Sequence, residues 1–224
     1  MMVRVTQQTG TDQFGWVPAG ADWHHNAVVG DLTSDDAVIA YGFRRMADIA
    51  VENWITRGPD DGLFLPIVYT YRHAIELLLK QALREAWECL DHDGHPQPTL
   101  TRRNKPVAAD TWLATHDLNE LAAQLDACFA VLSMHAADKT MAPDVAKTIG
   151  ELHELDPSGD AFRYSQVRKP TASTFRLHRA PDASGRVPVE QVNIVQLREV
   201  CGNVITYLLG AVDYLTMYRE DQGL

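Results

Sequence analysis

Cysteine is scarce in this chain of 224 residues, and its few cysteines stand far apart. Cys89, Cys128 and Cys201 have none of the close spacings that metal sites and thiol redox motifs require. An odd number of separated thiols is typical of a protein in a reducing compartment. We therefore expect a cytoplasmic protein in which all three cysteines are small residues of the core.

Long apolar runs are also missing. No stretch approaches the roughly 18 consecutive apolar residues that span a bilayer, and the opening MMVRVTQQTGTDQFGW has no apolar signal core. We expect neither secretion nor membrane insertion.

Positive charge is in deficit as well, since 20 basic residues stand against 30 acidic ones and the net charge is −10. This balance disfavours broad non-specific binding to nucleic acid or anionic lipid.

Several catalytic and cofactor motifs are absent. The sequence has no GxGxxG, GxxxxGK[ST], GxSxG or HExxH motif and no CxxC pair. The loop Asp91-His92-Asp93-Gly94-His95 groups imidazoles with carboxylates, a composition that a transition metal accepts but that solvated loops share. We expect no metal and no cofactor.

The most informative stretch runs from Leu63 to Leu90. Its apolar residues fall on one broad face at about 100° per residue, which predicts a helix of the central rather than the peripheral kind. Arg72, Glu76 and Lys80 follow one another at i, i+4 spacing on the remaining stripe, so their charged ends can meet along one line. Such a line is either an internal ion-pair ladder or the lining of a site.

Four further helices are predicted around this one. The first, 35–57, follows a cluster of N-cap residues, and we expect its buried face to consist of the apolar residues that repeat at helical spacing: Val38, Ile39, Phe43, Met46, Ile49, Ala50 and Trp54. The turn 58–62 makes it an antiparallel neighbour of 63–90. The others begin near Thr115–Asp117, at Pro143 and near Gln191, the last ending near Arg219. The polar segment Pro96–Asp110 is predicted to be a surface loop.

Two stretches fall outside these helices. Residues 1–32 carry scattered aromatic side chains, and we expect an irregular arm that packs them on a single helical domain, 33–220. The insertion 157–190 has no helical period, and the alternation of Ser173, Phe175 and Leu177 predicts a small β-hairpin near 173–189. Between Arg163 and Arg186 lie six basic residues and one acid, giving +5.

This basic insertion predicts either an anionic ligand or contact with the acidic body of the same or a second copy. The residues that would bind a ligand are Arg163, Arg168, Lys169, Arg176, His178 and Arg179. Apolar surface on the first and last helices exceeds what one bundle covers, so we also expect a homodimer with two-fold symmetry.

Four phrases together resemble the HEPN superfamily of bacterial helical-bundle proteins. They are YRHAIELLLKQAL in the central helix, THDLNELAAQL opening the third, DPSGDAFRYSQ before the basic hairpin and VNIVQL opening the last. The resemblance covers roughly Asp35 to Leu215. It implies an all-α, HEPN-like up-and-down bundle of about five helices with a small β-hairpin insertion before the C-terminal helix. It also implies an interaction module for RNA or a nucleotide in a defence or toxin–antitoxin setting, with a nucleotidyltransferase antitoxin as a partner protein.

Ribonuclease members of that superfamily have an Arg-x(4–6)-His motif, whose imidazole and guanidinium assist attack of a 2′-hydroxyl on its neighbouring phosphate without metal. That spacing is absent here. Arg84 and His92 are too far apart, Arg176 and His178 are too close, and Arg72 and His73 are adjacent. Three hypotheses stay open: a binding module, which we favour, a divergent metal-independent ribonuclease using Arg72, His73 and Glu76, and a purely structural ladder. An acid–base site assembled from different elements would use His73, Glu76, His116 and Arg163. The alternative for His116 is that it only caps a helix.

Overall fold

The computed structural model describes residues 35–96, 98–102, 104–132, 140–159 and 191–221. Within these ranges the α-helices are α1 (Asp36–Arg57), α2 (Phe64–His92), α3 (Ala109–Leu113), α4 (Leu118–Val131), α5 (Pro143–Leu155) and α6 (Ile194–Asp221). A 3₁₀ turn, Asp61–Leu63, precedes α2. Strands β1 (Thr101–Arg102) and β2 (Lys105–Pro106) form an antiparallel pair. The all-α prediction is confirmed for these residues.

Local sequence explains the ends of the long helices. Asp35 is the N-cap of α1, and its side chain accepts a hydrogen bond from the Ala37 N–H at 2.7 Å. Gly58 ends α1 at a φ of 102°, a conformation that favours glycine. The predicted bounds of the first two helices are confirmed to within two residues, and α5 begins at Pro143 as predicted.

Helix α2 is central, as the sequence predicts. Helices α1, α4 and α6 all pack against it, and α5 contacts α4 and α6. Its leucines at 78, 79 and 83 are fully buried. Burying a leucine side chain contributes about 1.5–3 kcal/mol, so this helix supplies much of the core.

The buried face of α1 differs from the prediction. Its buried residues are Ala40, Ala47 and Val51. Val38, Met46 and Ile49 were expected in the core but are 41%, 54% and 60% exposed. Phe43, Ala50 and Trp54 are partly buried and pack against the core, which confirms that part of the predicted face. Alanine side chains let α1 lie close to α2, and Val38, Met46 and Ile49 are turned outward.

The predicted surface loop 96–110 contains regular structure. Strands β1 and β2 pair across a turn in which Asn104 has a φ of 61°, and α3 begins at Ala109. Trp112 of α3 is 4% exposed and packs edge-on against Trp87 of α2, with 6.0 Å between ring centroids. The segment lies at the surface as predicted, since its described residues are exposed or partly buried. It is not wholly a loop, however, and the aromatic contact of Trp112 anchors its end to the bundle.

Helix α6 has the length and composition of a membrane span, with 28 residues and a mean hydropathy of 1.3 over its most apolar window. It buries Cys201, Ile205 and Leu208 within the bundle, where it packs against α2. A core helix meets the same criteria of length and hydropathy. All three cysteines are free and buried, which confirms that they are core residues.

Candidate functional site

The charged line of α2 is buried, and its members meet as an ion-pair ladder. Arg72, Glu76 and Lys80 are 1%, 2% and 9% exposed. The Glu76 carboxylate accepts a hydrogen bond from Arg72 Nη1 on Oε2 at 3.0 Å and one from Lys80 Nζ on Oε1 at 2.7 Å. Buried charges are tolerated when they are paired in this way. Of the two alternatives that the sequence leaves open, the structure shows the internal ladder.

Arg72 also ties α2 to two distant parts of the chain. Its Nη2 donates to the backbone oxygen of His116, just before α4, at 2.7 Å and to that of Asp156, just after α5, at 3.0 Å. Its Nε lies 3.9 Å from Oδ2 of Asp156, which is fully buried. A planar guanidinium with five donors suits such a junction. Arg72 thus fixes the start of α4 and the end of α5 on the central helix.

His116 connects these buried charges to the surface. Its Nδ1 lies 2.9 Å from Glu76 Oε1, while its side chain is 51% exposed. We assign the proton to Nδ1 because its partner is a carboxylate. The other ring nitrogen, Nε2, has no hydrogen-bond partner among the described residues. We call Arg72, Glu76, Lys80, His116 and Asp156 the Glu76 cluster, and His116 is its most exposed member.

The cluster keeps Glu76 ionised. Burial acts to raise the pKa of this carboxyl, but the hydrogen bond and charge of Lys80 and the charges of His116 and Arg72 hold the pKa below its ordinary value. The two buried cations balance the two carboxylates. His116, the fifth member, is the one that reaches the surface.

The ends of α4 and α5 build the surroundings of His116. Asp117 is the N-cap of α4 and accepts a hydrogen bond from the Glu120 N–H at 2.9 Å. The same Asp117 oxygen lies 3.4 Å from Nδ1 of His153, in the last turn of α5. Gly159 has a φ of 75°, and a Cβ there would lie 3.2 Å from the Cβ of His116. Gly159, the third residue of the basic insertion, thus lies directly against His116.

His73 does not hydrogen-bond to Glu76. Its ring packs edge-on against Phe43 of α1, with 4.5 Å between centroids, and stacks on Tyr69 at 5.7 Å. Burial lowers its pKa, although the charge of Glu76 opposes this shift. His73 is thus packed between two aromatic rings. Of the three residues predicted to be catalytic, Arg72 and Glu76 meet, and His116 is the histidine that joins them.

The predicted ligand-binding residues lie outside the described part of the chain, as do the arm 1–32 and the hairpin 173–189. They are Arg163, Arg168, Lys169, Arg176, His178 and Arg179. Their contribution to the site stays a prediction.

The histidine-rich C-terminal end of α2 is hydrogen-bonded to α6. Asp93 accepts a hydrogen bond from the Tyr218 hydroxyl at 2.8 Å, and its other oxygen lies 3.2 Å from Nδ1 of His92. These contacts hold the pKa of Asp93 below its ordinary value, with the Tyr218 bond the largest cause. Within the ranges described above, no group of three or more His, Cys, Asp or Glu residues is arranged to hold a metal ion.

Three members of the site's surroundings have no signal in the sequence: Asp156, His153 and Gly159. The phrase DPSG at 156–159 predicts only the end of a helix. Nothing local indicates that Asp156 is buried beside Arg72, 84 residues earlier in the chain. Such contacts depend on how the helices pack.

Comparisons with known proteins assign no family to this chain. No protein-family model matches it, and neither a curated protein nor a solved structure does.

Proposed function

We propose that this protein is a HEPN-like helical module that binds RNA or a nucleotide through phosphate at the surface around His116. The observation that carries the proposal is the half-exposed His116 imidazole, held through Nδ1 by the buried Glu76 carboxylate. A fixed ring with one unpartnered nitrogen in the described region is a preorganised group for a polar ligand.

Protonation makes this ring a phosphate ligand. The Glu76 carboxylate fixes the orientation of the ring through Nδ1. The N–H at Nε2 then donates to a phosphate oxygen in a charge-assisted hydrogen bond. Because the buried charges of the cluster balance one another, nothing within it cancels the charge of His116.

The basic insertion supports the same ligand through chain connectivity. Gly159 lies against His116. Arg163 follows four residues later, so full extension of the chain keeps its backbone within about 14 Å of Gly159. The segment that starts there carries +5 on a protein whose net charge is −10. We expect Arg163 and the basic residues that follow it to contact phosphates next to His116.

Fluorescence anisotropy with a labelled single-stranded RNA tests the proposal. We expect His116→Ala to weaken binding about tenfold, since it removes one charge-assisted hydrogen bond. His92→Ala is the matched control, because His92 is an exposed histidine on α2, about 24 Å along the helix from Glu76. Equal affinities for His116→Ala and the unsubstituted protein would refute the proposal.

The basic hairpin residues are tested by the pair Arg176→Ala with Arg179→Ala. If they bind phosphates, the double variant binds RNA less tightly, and its affinity depends less on salt. If they bind the acidic body instead, the melting temperature or the mass of the assembly falls while RNA affinity stays the same.

The same geometry favours a second function, metal-independent cleavage of RNA. A carboxylate that fixes Nδ1 leaves Nε2 of the neutral ring as a general base. It would take the proton of a 2′-hydroxyl as that oxygen bonds to phosphorus and the P–O5′ bond breaks. The leaving 5′-oxygen takes a proton from water, which yields a 2′,3′-cyclic phosphate and a 5′-hydroxyl. Cleavage in EDTA that is lost in His116→Ala and kept in His73→Ala would establish this activity. Loss in His73→Ala alone would support the set Arg72, His73 and Glu76 instead.

The biological setting follows from the resemblance and belongs to the same proposal. We propose a cytoplasmic module of a bacterial defence or toxin–antitoxin system whose partner is a nucleotidyltransferase antitoxin. A nucleotidyltransferase encoded beside this chain and purifying with it would support this setting, and failure of the two proteins to associate would count against it.

A further inference from the structure

The outer face of α1 carries apolar side chains that the bundle leaves uncovered. Tyr41, Met46 and Ile49 are 55%, 54% and 60% exposed. Beside them a cavity of about 540 Å³ separates α1 from α6, and Arg44, Asp48 and Arg198 are among its lining residues. Contiguous exposed apolar surface on a rigid helix, rimmed by charges, marks an interaction site.

The charges of this face are arranged symmetrically. At spacings of three and four residues, one side of α1 presents Tyr41, Arg45, Ile49, Glu52 and Thr56. At a rise of about 1.5 Å per residue, Arg45 lies about 5 Å to one side of the point between residues 48 and 49, and Glu52 lies about 5 Å to the other. Arg45 is exposed and has no ion-pair partner in the described ranges, while Glu52 makes only a 3.5 Å contact with Arg198 at the surface.

We propose that this face binds a second copy of the chain, with the two α1 helices antiparallel and a two-fold axis beside Ile49. In that register Arg45 of each protomer lies opposite the partner's Glu52, and Ile49 packs against its own copy. Two-fold interfaces are self-complementary, and this face is complementary to itself in charge. Tyr41 and Ile49 also line the groove between α1 and α6, and in this register that groove would receive side chains of the partner.

This interface fixes which helices meet in the expected homodimer, and it is independent of RNA binding at His116. It uses the large apolar residues of α1 that the core leaves out. It assigns no role to the exposed residues Tyr214 and Met217 on α6.

Reciprocal charge reversal tests the register. The unsubstituted protein at about 50 μM should give twice the 25.0 kDa chain mass by light scattering. Arg45→Glu and Glu52→Arg should each raise the dimer dissociation constant at least tenfold, because each sets like charges opposite one another twice. An equimolar mixture of the two variants should recover the dimer, since both pairs in the mixed dimer are again opposite in sign. All these positions are exposed, so unchanged melting of the isolated variants confirms that their folding is intact.

Disulfide trapping tests the axis. The three native cysteines are buried, so the thiol of Ile49→Cys is readily oxidised while theirs are not. Next to a two-fold axis it should link two chains on mild oxidation. The matched control is Ile55→Cys. Ile55 is 47% exposed, but in this register it would lie about 20 Å from its own copy along the helix axis. A monomeric chain mass at 50 μM would overturn the proposal. So would a dimer dissociation constant that neither charge reversal changes, or disulfide cross-linking that is faster for Ile55→Cys than for Ile49→Cys.

Discussion

Replacing Glu76 with alanine removes the carboxylate on which the ladder converges. Lys80, whose side chain is 11% exposed, loses the oxygen that it binds at 2.7 Å and has no other ion pair in the described residues. Arg72 keeps its hydrogen bonds to the backbone oxygens of His116 and Asp156. Breaking a buried pair from one side costs about 3–5 kcal/mol. Because Arg72 keeps partners and only Lys80 is stranded, we expect a loss of about 3 kcal/mol in the free energy of unfolding.

Urea unfolding at neutral pH, followed by circular dichroism, measures this loss. The matched control is Glu151→Ala, which removes the acid of an i, i+4 pair on α5 with Lys147 at 3.7 Å. That glutamate is 62% exposed, so we expect the control to lose less than about 0.5 kcal/mol. A loss below about 1 kcal/mol for Glu76→Ala would refute the view that the ladder is a buried, tightly paired network.

The same residue has a pH signature with a defined sign. The pKa of Glu76 is lower in the folded protein than its ordinary value of 4.5. The ionised carboxylate therefore stabilises the fold above about pH 4.5, and this contribution is lost as the pH falls through the folded pKa. Glu76→Gln, which keeps the shape of the side chain, should be less stable than the unsubstituted protein at pH 7. The gap between the two should narrow in acid, and a gap that stays constant from pH 7 to pH 3 would contradict the assignment.

Three further substitutions test the surroundings of the site. Gly159→Ala should lose more stability than Gly94→Ala, and it should shift the NMR signals of the His116 ring. Both glycines have a positive φ, but only a Cβ at position 159 would lie against His116, at 3.2 Å. Equal losses would show that only backbone strain matters. Asp117→Ala should cost about 1 kcal/mol in urea unfolding through loss of the α4 N-cap, and an unchanged midpoint would contradict that role. Tyr71→Phe should lower the free energy of unfolding by about 1–1.5 kcal/mol, because the hydroxyl of this buried ring donates a hydrogen bond to Asp48 at 2.6 Å. A stability equal to that of the unsubstituted protein would show that this hydrogen bond contributes nothing.

The course of the long helices is predictable from the sequence because their signals are local. Asp35, Gly58 and Pro143 mark helix ends through their own backbone and side-chain chemistry. The buried face of α1 is not predictable in this way. Apolar residues lie on most sides of that helix, so periodicity alone does not reveal that Ala47 faces inward and Ile49 outward. The choice is made by the close packing of α1 on α2, which favours small side chains.

The α2 half of the candidate site was predictable, whereas His116 was only one of several candidate residues from other elements. The i, i+4 spacing of Arg72, Glu76 and Lys80 is a property of the helix itself, so it predicts their hydrogen bonds correctly. His116 stands 40 residues after Glu76 in the chain, and no pattern chooses it over His73, which adjoins Arg72. That choice depends on tertiary packing, which places His73 against Phe43 and brings the start of α4 over Glu76.

The position of Arg72 has a consequence for motion. One guanidinium holds the backbone both before α4 and after α5. Opening of either segment would break its hydrogen bond to Arg72 and leave that buried guanidinium with fewer partners, so we expect the two openings to be coupled through Arg72 and both segments to resist amide exchange. His116 and Gly159 then move together, and a ligand that binds there loses little affinity to the ordering of the protein.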